Sequence, residues 1–250
     1  MNNKILFLLF SLCICSVSKA ETTVFSPDEK LKYRAHYGLL TAGYADFETR
    51  VSENDSSLLY TVIDFNTANL VDKLYKINYK FEAEYDPLTC LPVSSAYRLE
   101  EGNKSWSDRT EYHIDNFYLI SEKQGMMLLA EDVRDIVSAI FYVRTINWNN
   151  YQLNDTVSYE MYFREKETFP LKLVYKGKEL VDSEYGKISC VKLQPLSDPG
   201  KLFNGKSTVA MWVSDDENGI PIRISMDVLI GSFKFDLVEY ENIKIPYSCE

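Results

Sequence analysis

Ile77-Asn78-Tyr79-Lys80-Phe81-Glu82-Ala83-Glu84-Tyr85 alternates apolar and polar side chains along its whole length. Successive side chains of a β-strand point to opposite faces, so this alternation predicts a half-buried strand. Its apolar face is rich in aromatic rings, and its polar face carries charges. Asp86-Pro87 follows and ends the strand, because proline has no N–H to donate to a neighbouring strand.

The same alternation recurs on both sides of this stretch, with turn residues between the repeats. Asn218-Gly219 is the strongest hairpin signal. Asp115-Asn116 and Gly177 also predict turns, and the segment Gly38 to Gly43 predicts a turn or bulge. Strands that follow one another in sequence tend to pair, so an antiparallel meander is expected. The other predicted strands are 31–37, 44–51, 58–66, 91–99, 106–114 and 117–122, then 157–164, 171–181, 187–194, 208–213, 220–229 and 232–240.

One segment, Glu131 to Asn147, has the apolar spacing of a helix face instead. Glu131, Asp132 and Asp135 would lie in its first turns, where carboxylates favour the positive end of the helix dipole. The predicted fold class is therefore mostly β, with a curved antiparallel sheet (a β-roll or half-barrel) packed on one central α-helix. A single domain over 21–250 is expected, and two similar β halves, 25–125 and 155–245, remain an alternative.

The N-terminus has the organisation of a secretory signal. Ile5 to Val17 is apolar but too short to span a bilayer, and Ser18-Lys19-Ala20 provides small residues for cleavage near Ala20. We therefore expect a periplasmic or secreted protein. Ile14, directly before Cys15, argues against a lipid anchor because that position normally holds a small residue. An N-terminal core helix is the alternative, which no companion helix supports.

The charge balance limits the class of partner. The chain carries 37 acidic and 27 basic residues, and removal of Lys4 and Lys19 with the signal takes the net charge from −10 to −12. Such a charge argues against nucleic acid or an anionic membrane face as a partner. No later segment approaches 18 consecutive apolar residues, so no transmembrane segment is expected after cleavage.

Three cysteines remain after cleavage: Cys90, Cys190 and Cys249. At most one internal disulfide can form from three thiols, and Cys190 with Cys249 is the preferred pair because both lie in the C-terminal half. The alternative is three unpaired thiols that act as small buried apolar side chains.

Catalytic and metal-binding motifs are sparse. His36 and His113 are the two histidines, and they could share a metal only if the fold brought them together. The acidic turn Ser214 to Gly219 could attract calcium, but Met226 stands where an EF-hand would have its closing Glu, so a solvated hairpin tip is favoured. No cofactor or metal is predicted.

Aromatic residues carry the main functional hypothesis. Tyr33, Tyr37, Tyr79, Phe81 and Tyr85 recur at even spacing, so each set shares one face of a strand. On a curved sheet they could line a cavity for a lipid or another apolar or amphipathic envelope molecule. The competing interpretation is an ordinary core beneath the helix. The leading hypothesis is thus a non-enzymatic binding protein, with an envelope protein–protein interaction module and an atypical hydrolase as alternatives.

Four motifs in order resemble the DUF3108 family of exported bacterial proteins. They are Phe25 to Tyr33 followed by Gly38 to Gly43, Asp135 to Arg144, Trp212 to Asp216 followed by Ile220 to Arg223, and Gly231. The resemblance implies a bacterial envelope protein and no particular chemistry. It also singles out Ser138, Tyr142, Arg144, Asp215, Asp216 and Arg223 as structural markers. Near the helix end, Arg144 is expected to bind free carbonyls or to pair with Asp215 or Asp216.

Overall fold

The computed structural model describes residues 25–129, 132–164, 167–196, 209–227 and 232–247. These residues form fifteen strands and two α-helices, α1 (Asn69–Leu74) and α2 (Ile136–Thr145). The strands are β1 (Lys30–Tyr37), β2 (Leu40–Val51), β3 (Leu59–Thr67), β4 (Ile77–Tyr85), β5 (Pro92–Glu101), β6 (Lys104–His113), β7 (Tyr118–Ser121), β8 (Gly125–Leu128), β9 (Val133–Arg134), β10 (Thr156–Met161), β11 (Phe169–Ser183), β12 (Gly186–Pro195), β13 (Val209–Ser214), β14 (Pro221–Asp227) and β15 (Ser232–Glu241).

All described strands belong to one sheet, which consists of two meanders joined in the middle. The order is β8-β7-β6-β5-β4-β3-β2-β1-β15-β14-β13-β12-β11-β10-β9. Neighbours pair antiparallel except β9 with β10, which are parallel. The first and last strands, β1 and β15, make the junction. The sheet is open, with β8 and β9 at its edges, and the predicted fold class is confirmed.

Helix α2 lies against the concave face, and the main core fills the space between them. Val137 and Phe141 on α2 pack among buried side chains from strands of both meanders. The other side of the helix contributes Ala139 and Val143 to a second cluster over β10 to β13. One amphipathic helix thus buries part of the apolar face of the single sheet that the described strands form.

The helix begins later than the sequence predicted. Residues Val133–Arg134 form the short strand β9, and α2 starts at Ile136 rather than Glu131. Asp135 has extended backbone and caps the helix, since its carboxylate accepts the N–H of Val137 at 2.7 Å and the Ser138 hydroxyl at 2.6 Å. Ser138 Oγ in return accepts the Asp135 N–H at 3.0 Å. This capping box sets the start of α2, which the apolar spacing alone did not define.

Three further features differ from the predictions. Helix α1 and strand β8 were not predicted, because six- and four-residue elements carry too few repeats to establish a period. Gly177 was expected in a turn but lies within β11, where the pairing with β12 shifts register between Tyr175 and Lys178. Its φ of +90° marks a bulge there.

The meander places successive connections at alternate ends of the sheet. We call one end the open end: it carries the β1–β2 turn at residues 38–39, helix α1 and the β5–β6 turn at residues 102–103. The opposite end carries Glu29 and the turn at 215–219, both beside the C-terminus of α2. The predicted signal at 1–20 lies outside the described residues, and the division into halves at 25–125 and 155–245 stays a prediction.

Candidate functional site

Two of the five aromatic residues predicted to bind ligand belong to the core beneath α2. Tyr33 is 2% exposed with its ring 5.0 Å from Phe47, and Tyr85 is fully buried with its ring 5.2 Å from Phe141. Burial raises the pKa of both phenols well above the usual value. These two positions fit the competing interpretation of an ordinary core.

The other three lie toward the open end on the same concave face. Tyr79 and Phe81 are half-buried near the start of β4, and Tyr37 is exposed at the end of β1. The alternation therefore placed all five on one face, as expected. It could not reveal that the helix covers only part of that face.

A continuous row of rings crosses this uncovered part of the sheet. Each ring is half-buried, and neighbouring centroids lie 5.3 to 6.5 Å apart, within the range of favourable aromatic pairs. We call this set the aromatic row; in order of contact it is Tyr97, Phe163, Phe81, Tyr79, Phe65, Phe235 and Phe233. Five of its members were not singled out by sequence, because they lie on other segments and only the fold shows which segments come together.

The row crosses the junction between the two meanders at one point. Phe65 on β3 and Phe235 on β15 are separated by β2 and β1, which is roughly 14 Å on a flat sheet. Their centroids are nevertheless 5.7 Å apart. Gly43 and Ala35 lie between them, and a Cβ at position 43 would come 3.1 Å from the Phe65 ring. Two small residues and a strongly curved sheet thus let the rings meet.

Polar groups are found mainly at the β5–β6 side of the row. The Tyr79 hydroxyl donates to Glu101, and burial together with this carboxylate raises the pKa of Tyr79. The exposed Arg164 guanidinium lies 5.0 Å from the Trp106 ring and 5.8 Å from Phe163. The surface is therefore apolar along its length, with one cation at the Phe163 end.

The expected continuous apolar cavity is not found among the described residues. Beneath α2 the side chains fill the space, and a pocket of only about 20 Å³ remains between Asp135 and Phe163. A second pocket of about 120 Å³ is polar, with Lys30, Glu48 and Arg50 in its walls. Sites for drug-sized ligands have roughly 300–1,000 Å³. The open part of the concave face is therefore where an apolar ligand is expected.

The two histidines are far apart and have different neighbours. His36 on β1 contacts the Asp236 carboxylate at 3.0 Å and the Gly38 carbonyl at 2.8 Å. His113 on β6 stacks on Tyr118 with centroids 4.4 Å apart. Strands β2 to β5 lie between them. Within the described ranges, neither imidazole bonds a hydroxyl or thiol, and no three His, Cys, Asp or Glu side chains cluster as metal ligands would.

Arg144 pairs with a partner other than those predicted. Its guanidinium donates to both Glu29 oxygens, at 2.6 and 2.8 Å, and to the Asn218 carbonyl at 3.2 Å. Asp215 instead pairs with Lys178 at 2.6 Å, and Asp216 accepts the N–H of Asn218 at 2.9 Å inside the turn. The expected pairing with either Asp is therefore wrong, although the Asn218 carbonyl still joins α2 to this turn.

The remaining markers make local contacts. Ser138 completes the helix cap, and the Tyr142 ring lies 3.6 Å from the buried Arg134 guanidinium. Arg223 binds the Asp236 carboxylate, which is also bound by His36. Burial would raise the pKa of Asp236, but its hydrogen bonds and charge interactions with Arg223 and His36 lower it overall. All are explained by packing and ion pairing.

A family model described as "Protein of unknown function (DUF3108)" matches residues 32–238, from β1 to β15. The chain belongs to the DUF3108 family. The resemblance seen in the sequence is thereby confirmed, and the family carries no assigned catalytic activity. No curated protein matches this DUF3108 chain.

A solved structure with a TM-score above 0.5 supports the fold. A beta-barrel-like protein of the domain of unknown function DUF1849 from Brucella abortus is 11% identical, with a TM-score of 0.58 over 88% of this chain and 99% of that one. A candidate exported protein from Bacteroides fragilis is 10% identical, with a TM-score of 0.39 over 88% of this chain and 100% of that one. At these identities the likeness concerns the fold alone.

Two predictions about the DUF3108 chain remain open. Cys90 and Cys190 are buried, and burial raises the pKa of each thiol to about 12. Cys249 and the motif residue Gly231 lie outside the described residues, so the Cys190–Cys249 disulfide stays a prediction.

No described helix has the length and apolar character needed to cross a membrane.

Proposed function

We propose that this DUF3108 member is a non-enzymatic exported protein that binds an apolar or amphipathic molecule of the cell envelope along the aromatic row. The secretory pattern of residues 1–20 supports export. The observation that carries the binding proposal is the row itself: seven rings in unbroken contact, all half-buried, on a face where the neighbouring core is fully packed.

The apolar area of the aromatic row favours a bound ligand over incidental exposure of single side chains. Single apolar side chains on a surface are normal, but a contiguous apolar patch on a monomer commonly marks a binding site. Phe and Tyr can each bury about 150–250 Å² and gain further from ring contacts. Met211, Ile224 and Met226 are also half-buried on β13 and β14 and extend the apolar surface past Phe235.

The shape of the row favours a long ligand with one anionic end. The ring contacts extend from β5 and β4 through β3 to β15, a span that matches an extended hydrocarbon chain better than a compact molecule. Arg164 is exposed beside Phe163, makes no ion pair with described residues and could receive an anionic head group.

Native mass spectrometry of the protein purified from its own envelope tests this proposal. We expect the intact chain to retain a small amphiphile, and Phe65→Ser or Phe235→Ser to lose it. Phe117→Ser is the matched control, because Phe117 is half exposed but lies off the row. Retention by the row variants, or equal loss in the control, would contradict the proposal.

A second candidate function is docking of another envelope protein on strand β8. This strand is a sheet edge, and its sequence Gly125–Leu128 has no charge, with Met126 and Leu128 exposed by 68% and 86%. Uncharged open edges accept a strand from a partner. In this case the same spectra would contain a protein adduct, which Met126→Lys removes and Phe65→Ser leaves intact.

A further inference from the structure

His36, near the end of β1, lies between two hydrogen-bond acceptors. Its Nε2 atom is 3.0 Å from the Asp236 carboxylate on β15, and its Nδ1 atom is 2.8 Å from the Gly38 carbonyl in the β1–β2 turn. The side chains of His36 and Asp236 are only 12% and 18% exposed. The imidazole thus connects the junction of the two meanders to a turn at the open end, and we call this arrangement the His36 bridge.

The two acceptors determine which form of the ring the bridge requires. A neutral imidazole has one N–H donor and one lone pair, whereas an imidazolium has two donors. The Gly38 carbonyl can only accept, and so can the Asp236 carboxylate, which is bound by the Arg223 guanidinium on its other side. Both contacts of the His36 bridge are therefore hydrogen bonds only when the ring carries two protons.

Charges of both signs surround the bridge on its face of the sheet. Within the described part of the chain, the titratable side chains beside the ring are Asp236 and Lys234 on β15, Arg223 on β14, Tyr44 on β2 and Arg34 on β1. One carboxylate attracts a charged ring and three cations oppose it. The two hydrogen bonds are thus the interaction that distinguishes the protonated ring from the neutral one.

We infer that the His36 bridge is a proton-sensitive device: it holds the β1–β2 turn against the junction of the meanders when the imidazole is charged, and it releases the turn when the imidazole is neutral. After deprotonation the remaining N–H stays directed at Asp236, because a bond to a carboxylate is about twice as strong as one to a neutral carbonyl. The Nδ1 lone pair then faces the Gly38 carbonyl oxygen. Two acceptors repel each other at this distance, so the turn moves away.

The turn itself offers little resistance to such a movement. Leu39 at its tip is fully exposed, and no atom lies within 4 Å of the position that a Cβ on Gly38 would take. Gly38 has a φ of +55°, and glycine changes between such conformations at little cost. Loss of the bond to His36 can therefore shift the turn without disturbing the strands that it joins.

The direction of the pH effect follows from the number of donors. Histidine is the side chain that ordinarily changes its charge between about pH 5 and 8, so the turn is held at the lower end of this range and released at the upper end. Tyr37, beside the turn, pairs with Phe233 at one end of the aromatic row. Release would thus alter the border of that row, but the inference does not depend on the row binding a ligand.

NMR spectroscopy of the ¹⁵N-labelled exported protein tests this inference, because the chain contains 2 histidines whose signals are easily told apart by substitution. We expect long-range ¹H–¹⁵N spectra to show His36 with two protonated nitrogens at about pH 5 and with one at about pH 8. The backbone amide signals of Gly38 and Leu39 should shift over the same range, with the same midpoint as the ring. His36→Gln should abolish this shift.

His113→Gln is the matched control, because His113 stacks on Tyr118 on a distant strand and the turn signals should still move as in the wild type. The inference is wrong if the turn signals stay constant while the His36 ring titrates, or if the ring keeps one protonation state throughout. An unchanged shift in His36→Gln would overturn it as well. The first two results come from the wild type alone, so they stand even if a variant fails to fold.

Discussion

Arg144 and Glu29 form an ion pair inside the core, with side chains 1% and 2% exposed. Burial alone would lower the pKa of Arg144, but the adjacent Glu29 charge and its hydrogen bonds raise it overall. The pair joins the C-terminus of α2 to the segment before β1. The pair serves mainly to position α2 against the segment before β1, because the free-energy cost of burying two charges offsets much of their attraction.

Removal of one partner should therefore be severe. We expect Arg144→Ala to lower the free energy of unfolding by about 3–5 kcal/mol, since Glu29 would stay buried without a counter-charge. Urea denaturation measures the change. Lys30→Ala is the control: its pair with Glu241 is exposed, and such pairs contribute about 1 kcal/mol or less. Equal small losses in both variants would contradict the assigned role.

Asp135 makes the free energy of unfolding depend on pH. Burial raises the pKa of its carboxyl from 3.8 to about 6, against the opposing effect of the helix-cap hydrogen bonds. The folded state then holds this proton more tightly than the unfolded state, so the stability it contributes is complete below pH 4 and is lost as pH rises through 6. The whole effect corresponds to roughly 3 kcal/mol.

A comparison with Asp135→Asn isolates this group. The stability of the wild type relative to the variant should fall between pH 4 and pH 6 and stay constant above, as measured by urea denaturation at each pH. A relative stability that rises over this range would mean that the cap hydrogen bonds outweigh burial. Single residues of this kind could be marked from the sequence, but their ion-pair partners could not. Arg144 was expected to bind free carbonyls or to pair with Asp215 or Asp216; it binds the Asn218 carbonyl, but its ion-pair partner Glu29 lies 115 positions away.

At the scale of elements, the sequence was informative wherever a pattern was long. The nine-residue alternation of β4 predicted its bounds without error, and most other strands lie within a few residues of their predicted ranges. The start of α2 was missed because Val133 fits both a helix face and a strand. The short α1 and β8 each carry two exposed large apolar side chains, Leu70 and Leu74 on α1 and Met126 and Leu128 on β8, and neither element was predicted.

Gly43 on β2 is the element-scale feature on which the aromatic row depends. A Cβ there would come 2.3 Å from the Asn66 carbonyl oxygen on β3, so backbone would have to move. We expect Gly43→Ala to destabilise the fold by about 3 kcal/mol, at the upper end for overpacking. Thermal unfolding followed by circular dichroism measures this.

Gly38→Ala in the adjacent turn is the matched control. Nothing lies within 4 Å of its added Cβ, and only its φ of +55° opposes the substitution, at a cost of about 1 kcal/mol. If both variants lost the same stability, steric crowding against the Asn66 carbonyl would not be what keeps position 43 small.

At the scale of the whole molecule, the closure of β1 on β15 could not be read from local patterns. Pairing of the first strand with the last is set by curvature accumulated over the sheet. The even spacing of aromatic residues was therefore ambiguous between core and binding surface. In the structure the predicted set divides between the two. Tyr33 and Tyr85 lie in the core under α2, whereas Tyr79 and Phe81 belong to the aromatic row together with rings from β3, β5 and β15.

The central claim is that the aromatic row contacts a small amphiphile in the cell envelope. The most direct measurement places the photoreactive benzoylphenylalanine at Phe81, with a second chain substituted at Phe117, and irradiates living cells. Mass spectrometry of the purified chains should find an adduct of lipid-like mass at position 81 and none at position 117. A protein adduct at position 81, or no adduct at either position under conditions where a known contact crosslinks, would contradict the account.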